Sequence, residues 1–345
     1  MEYRLLGRTG LEVSCIAFGT DNFLDPTPED EAAQMIDLAL DAGINLLDTG
    51  DCYAGGEAEK MIGRALKANG RRNDVLLSTK IDHGMSIPGT SLDDHKPEAA
   101  VNKHGLSRYN IIRACENSLK SFQTDYIDLL YVHRPEPHIP IDETLGALDI
   151  LIRSGKVRYV GCSTFPSWRV MESLMVSKEF GYHRFSAEQP PYNLLDRRIE
   201  NELLPMAIKY GVGIISFVPM AMGVLAGRYN DPNHYPTGSR AKYRGGYYSD
   251  RVTERGIQVG IKFAKIAKRI NITPAQLAVL WVKDQPGITA PLMGPRTMQH
   301  LEEILPVVEM KLDDETRQAC DELVPPGSVV TDFHNTSGWM KMKIL

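Results

Sequence analysis

Short apolar runs recur along the chain, roughly 30 residues apart, the size of a βαβ repeat. They are CIAFG (15–19), INLLD (44–48), VLLSTK (75–80), IDLLYVH (127–133), VRYVGCS (157–163), FSAEQ (185–189), VGIISFV (212–218) and ITAPLMG (288–294). Most show no polar alternation, as expected of strands buried on both faces. Between most of them the apolar positions take a helical period. In PEDEAAQMIDLALDAG the stripe is Ala33, Ile36, Ala39 and Leu40, and Gly43 stops the helix. SRYNIIRACENSLKSF, DETLGALDILIRSG and NELLPMAIKYG read the same way. Strands alternating with helices imply a parallel sheet. Eight such units, with no linker between them, predict a closed (β/α)8 TIM barrel spanning residues 1–345 as a single domain. The alternative is an open, doubly wound sheet.

A barrel of this kind carries its chemistry at the C-terminal ends of its strands. Asp48, Lys80, His133, Ser163 and Gln189 stand at the ends of successive runs, and Tyr53 follows Asp48 in a glycine-rich turn with Asp51. A tyrosine is a poor acid at neutral pH, with an ordinary pKa of about 10. A neighbouring ammonium favours the phenolate, so Lys80 is expected to lower the pKa of Tyr53. A buried lysine needs an anion, and Asp48 can supply it. His133 can hydrogen-bond the same reacting oxygen. Together these groups suit proton delivery to a developing alkoxide, as in carbonyl reduction. Singly, each has a plainer use: Asp48 as a turn cap, Tyr53 as a rim residue, Lys80 as a solvated strand end, His133 as a loop hydrogen-bonder. No G-x-G-x-x-G and no P-loop pattern is present, so a nicotinamide would have to bind the barrel mouth by other means.

Composition narrows the setting. The net charge of −5 argues against nucleic acid or an anionic membrane as partner. The five cysteines form no C-x-x-C pair, which disfavours zinc and disulfides and fits a reducing cytoplasm. The N-terminus has no apolar core of a signal peptide, and no run reaches the ~18 apolar residues of a membrane span.

The ordered motifs resemble the aldo-keto reductase superfamily almost end to end. They are LGRTGLEVS, LDTGDCYAGGEAEKMIGRAL, STK (78–80), GLSRYNI, YIDLLYVHRPEP, GKVRYVGCSTF, EQPPYNLLDR, GVLAGRY and GPRTMQHLEEIL. GLSR and HRPEP look closest to the bacterial and potassium-channel-β-like branches. The resemblance implies NADP(H) as cofactor, and a tetrad of Asp48, Tyr53, Lys80 and His133 with Tyr53 as general acid. It implies that Ser163, Thr164 and Gln189 hold the nicotinamide carboxamide, with Phe217 near the ring. Gly19, Thr20 and Asp48 are implied along the cofactor. Val218, Met220, Gly223 and Leu225 are implied along the pyrophosphate, and Gly294, Arg296, His300 and Glu303 around the adenosine and its 2′-phosphate. Glu302 is an alternative to Glu303 beside the adenine. Three positions depart from the family's habit: Thr164 where Asn is common, Phe217 for Tyr or Trp, and His300 for Arg or Gln.

Three long segments are expected to shape the mouth: 82–106, 227–250 with its tyrosines and Arg228, Arg240 and Arg244, and the tail 324–345 with Phe333, His334 and Trp339. The tail is expected to lie over the mouth with Trp339 as one wall. Phe23, Met85, Ile87, Met220 and Met222 can line a pocket or pack as core. The expected function is NADPH-dependent reduction of a small to medium neutral aldehyde or ketone, by a monomer or small homo-oligomer. One alternative is a nucleotide-sensing regulatory protein of the same fold with slow turnover. Another is a metal-dependent hydrolase using His133, His138 and Asp48.

Overall fold

The computed structural model describes residues 1–81, 102, 105–231 and 234–334. Ahead of the barrel, β1 (Tyr3–Leu5) pairs antiparallel with β2 (Glu12–Ser14). The hydrophobic pattern does not predict this hairpin, because three-residue strands are too short to show a period. The eight apolar runs become β3 (Ala17–Gly19), β4 (Leu46–Asp48), β5 (Leu76–Ile81), β6 (Ile127–Val132), β7 (Val157–Ser163), β8 (Ala187–Gln189), β9 (Gly213–Ser216) and β10 (Ala290–Met293). They pair in parallel and close in the order β10-β3-β4-β5-β6-β7-β8-β9, a (β/α)8 barrel. The open-sheet alternative is thereby excluded.

The covering helices are α1 (Glu29–Asp41), α2 (Glu57–Ala68), α3 (Arg108–Phe122), α4 (Ile141–Arg153), α5 (Ser167–Phe180) and α6 (Leu203–Tyr210). They lie between successive strands; of the stripe read in α1, Ile36, Ala39 and Leu40 are buried and Ala33 is half-buried, while Ala32 and Met35 complete the buried face. Segment 227–250, expected to be irregular, contains two short helices, α7 (Arg240–Arg244) and α8 (Tyr247–Asp250). Then come α9 (Glu254–Arg269), α10 (Pro274–Lys283), α11 (Met298–Ile304) and α12 (Asp314–Leu323).

Side chains alternate across a strand, so each strand has one inward and one outward set. Ala17, Leu46, Leu129, Tyr131, Ala187, Ile215, Ala290 and Leu292 pack inside the barrel with Leu6 and Val13 of the hairpin region. Leu47, Leu77, Ile81, Leu130, Val132, Val160 and Ile214 face the helices instead. A Cβ added at Gly7 would meet the Gly211 carbonyl oxygen at 2.6 Å and the Gly213 nitrogen at 2.7 Å. Those atoms lie at the start of β9, so the hairpin closes the end of the barrel where the strands begin. Asp48, Ser78, Lys80, Ser163 and Gln189 share the inward parity, one step nearer the other end than the apolar layer.

Phe23 and Met222, two of the candidate pocket residues, are buried in the core, and Met220 packs against it. Met85, Ile87 and Trp339 lie outside the described residues, as does the tail beyond residue 334 that was expected to cover the mouth. The part of the tail that is described runs beside the connection leaving β8. Val330 and Thr331 donate to the Leu195 carbonyl, and the Phe333 amide donates to Asp196 at 2.7 Å. Phe333 itself is fully buried.

Candidate active site

The inward parity of β4, β5 and β6 brings Asp48, Lys80 and His133 to the strand exits. Register places Asp48 beside Ser78, and Lys80 beside Tyr131. Lys80 and Asp48 form a buried ion pair, with side chains 1% and 3% exposed. The Lys80 ammonium also donates to the Thr49 carbonyl at 2.6 Å and reaches the Tyr53 hydroxyl at 3.3 Å. Asp48 accepts at its other oxygen from Ser78 Oγ at 2.7 Å and Gln189 Nε2 at 3.1 Å. Such a pair is tolerated in the interior because its remaining donors and acceptors are satisfied.

Tyr53 opens the turn after β4. Ala54, Gly55 and Gly56 take φ of 50°, 66° and 93°, which reverse the chain into α2. The two glycines adopt this geometry without Cβ strain. The Tyr53 and His133 rings meet edge to face, with centroids 6.2 Å apart. The four tetrad side chains therefore converge on one point at the barrel mouth.

The expected lowering of the Tyr53 pKa is not what this arrangement produces. Burial pushes the phenol well above its ordinary value, and the carboxylates of Asp21 and Asp48 push the same way. Desolvation leads, because a buried phenolate loses its hydration. The charge of Lys80 is already matched by Asp48, so little of it remains to favour a phenolate. Tyr53 thus holds its proton in the resting site.

The other candidates fall around the mouth in two groups. Ser163 ends β7 and donates to the Gln189 carbonyl at 2.8 Å. Thr164 follows at φ 58°, a left-handed conformation that is strained for a β-branched residue, and its buried hydroxyl has no hydrogen-bond partner among the described residues. Gln189 lies alongside and is tied to Asp48. Phe217 is half-buried above the inner apolar layer. Gly19 pairs with Asp48, whose carbonyl accepts from both the amide and the hydroxyl of Thr20 at 3.0 Å.

The second group lines the turn after β9 and the exit of β10. Val218, Met222 and Gly223 have φ of 57°, 58° and 96°, which coil the chain tightly after β9. Met220 accepts from the Gly223 amide at 2.9 Å, while Leu225 turns its side chain into the core. Gly294 is exposed, and its carbonyl accepts from Asn22 at 2.8 Å. The Arg296 carbonyl accepts from Thr27 at 2.9 Å. His300 accepts from Arg228 at 2.7 Å. Glu303 is half-buried on the same helix as His300. Among the described residues no three His, Cys, Asp or Glu side chains form a metal-holding cluster, and His138 is exposed.

Sequence reasoning missed three supports. Ser78 could have been found, since a residue two before Lys80 must share its face. Glu188 is fully buried, faces outward and accepts from the Phe165 amide at 3.1 Å, bracing the turn that holds Thr164. Burial pushes its carboxyl well above the usual range. Asp21 is forked by Arg240 at 2.8 Å and Arg244 at 3.2 Å. Burial opposes ionisation of Asp21, but the two guanidinium groups outweigh it and bring the pKa down to about 2. No local pattern links residues 219 apart.

The comparisons with known proteins agree with the barrel fold. Residues 15–325 match the model of the aldo/keto reductase family. The chain is 36% identical over 333 residues to an uncharacterized oxidoreductase, YrpG, of Bacillus subtilis (strain 168), covering 95% of this chain and 97% of that protein. It is 32% identical over 317 residues to a probable voltage-gated potassium channel subunit beta of Arabidopsis thaliana, covering 90% and 92% of the two. Its similarity to the protein of the same description from Oryza sativa subsp. japonica is 34% over 301 residues, 85% of this chain and 87% of that one. With a closed barrel, an Asp–Tyr–Lys–His mouth and a family match over nearly its whole length, the chain belongs to the aldo/keto reductase family.

Proposed function

We propose that this oxidoreductase reduces a small neutral aldehyde or ketone to the alcohol with NADPH. The observation that carries the reading is the convergence of Tyr53, Lys80 and His133 on one point, with Asp48 holding Lys80 from beneath. The mouth offers groups suited to a phosphorylated nicotinamide. Among the described residues, the guanidinium groups of Arg228 and Arg296 make no ion pair with a carboxylate, and they flank the exits of β9 and β10. Ser163, Thr164 and the Gln189 amide supply polar atoms beside the tetrad.

When bound, the reduced nicotinamide supplies the hydride that reaches the carbonyl carbon. The Tyr53 hydroxyl gives its proton to the carbonyl oxygen as that oxygen gains charge. Its raised pKa keeps the proton in place until an alkoxide, a far stronger base than water, draws it away. The phenolate left behind then meets the Lys80 ammonium at 3.3 Å. His133 donates to the same oxygen. Asp48 keeps Lys80 aimed, and Ser78 and Gln189 keep Asp48 aimed.

The reading includes a reducing cytoplasmic setting and a monomer or small homo-oligomer. No disulfide is formed, and no helix among the described residues is long and apolar enough to cross a membrane. A second reading, a cofactor-holding regulatory subunit with slow turnover, draws support from the names of the plant relatives. Tyr53→Phe separates the two. Under the reductase reading, aldehyde-dependent NADPH oxidation falls by about 100-fold or more, the scale of general-acid catalysis, while NADPH still binds. Unchanged turnover in that variant would remove Tyr53 from the chemistry.

A further inference from the structure

His300 faces an unusual partner. Its Nε2 lies 2.7 Å from an Arg228 nitrogen. A guanidinium can only donate, so Nε2 presents its lone pair and the ring is neutral with its proton on Nδ1. The charged groups acting on His300 come from four places. Arg228 lies in the turn after β9, Arg296 leaves β10, Glu303 shares α11, and Glu31 projects from α1. Glu31 is already engaged, accepting from the Met298 amide at 2.7 Å. Arg240 and Arg244 add positive charge around Arg296. A neutral imidazole therefore takes the acceptor position at Arg228, within the positive field that Arg296 also contributes.

We infer that Arg228, Arg296 and His300 form a phosphate-monoester site that takes up a proton as it fills. A monoester dianion offers three acceptor oxygens and can replace the imidazole as the acceptor for Arg228. The freed Nε2 can then bind a proton and donate to the same oxygens. In the site without an anion, burial and then Arg228 and Arg296 hold His300 below its ordinary pKa of 6.5, with Glu303 and Glu31 opposing. A dianion against the ring reverses that direction. Affinity for the monoester must then rise as the pH falls through the window between the two values. The rise ends near pH ~6, where the phosphate's own second ionisation begins to remove its charge. His300 is thus a specificity residue whose preference for the 2′-phosphorylated cofactor depends on pH.

This rests on the reading that the cofactor carries a 2′-phosphate. The test is titration calorimetry of NADP+ and NAD+ at about pH 7, in two buffers of different ionisation heat, with wild type and His300→Gln. The expected result is an uptake of about half a proton or more with NADP+ in the wild type, and none with NAD+. His300→Gln should lose that uptake while still binding NADP+ within about tenfold of wild type, and its unchanged NAD+ affinity reports an intact fold. NADP+ preferred without proton uptake would overturn the role of His300 alone, as would equal uptake in the variant. NADP+ and NAD+ binding alike would overturn the 2′-phosphate reading, and this inference with it.

Discussion

Replacing Lys80 by Met removes one half of a buried ion pair and leaves the other. In the native site Asp48 is 3% exposed at its side chain and receives Lys80, Ser78 and Gln189. Without Lys80 the carboxylate keeps two neutral donors and loses its counter-charge. Breaking such a pair costs about 3–5 kcal/mol, because a buried charge is left uncompensated. The two surviving hydrogen bonds place this case toward the lower end, about 3 kcal/mol. Asp48→Asn combined with Lys80→Met removes both charges and keeps the acceptor that Gln189 and Ser78 need. That double variant should lie within about 1 kcal/mol of wild type while remaining without turnover. Asp48→Asn alone leaves the buried Lys80 ammonium uncompensated and should also cost about 3 kcal/mol, so urea unfolding of wild type, both single variants and the double variant should close a cycle with a coupling of about 5 kcal/mol. If Lys80→Met alone costs less than about 1 kcal/mol, or the double variant is no more stable than the single, Lys80 is not charge-compensated by Asp48. Only burial and the two carboxylates would then remain to explain why Tyr53 keeps its proton.

Thr164→Asn relieves a β-branched residue from a left-handed conformation, so it should add about 1 kcal/mol of stability in urea unfolding. The same change should tighten nicotinamide cofactor binding by fluorescence titration, since the amide brings a donor and an acceptor where the threonine hydroxyl has no partner among the described residues. Gly161→Ala would place a Cβ 2.5 Å from the Tyr131 ring and 2.8 Å from the Ala187 carbonyl. A loss of about 1–3 kcal/mol is expected, read as a lowered melting temperature. Asp21 has its pKa lowered to about 2, so its ionised form stabilises the fold above the unfolded carboxyl value of about 4. That contribution disappears as the pH falls from about 4 to about 2, and Asp21→Asn should flatten this part of the acid-unfolding curve.

What the sequence made legible was whatever leaves a local period. The eight barrel strands are visible because each is an uninterrupted apolar run closed by a turn. Asp48, Lys80, His133 and Gln189 are visible because each is the polar residue that ends such a run. β1 and β2 are hidden because three residues cannot display an alternation. The clasp of Asp21 by Arg240 and Arg244 is hidden for a different reason. It joins the segments leaving the first and seventh barrel strands, and only closure of the barrel through β10 brings them within reach of each other. The proton affinity of Tyr53 is hidden because adjacency to a lysine does not by itself decide it. The balance depended on Asp48 neutralising Lys80 and on the depth of the phenol, both products of packing.

The shared inward parity of the site residues has a consequence for how such a chain can change length. Inserting or deleting one residue between Leu76 and Lys80 would turn the ammonium out toward the helices and bring Thr79 or Ile81 to the mouth. A two-residue change would keep the facing but displace Lys80 along the strand by about 7 Å, well beyond the reach of its bond to Asp48. The strands are therefore rulers that admit no change of length, whereas the turns beyond them bear no such restriction. Variation that alters substrate choice has to enter through insertions after the strand exits, where the reading frame of the inner face is not at stake.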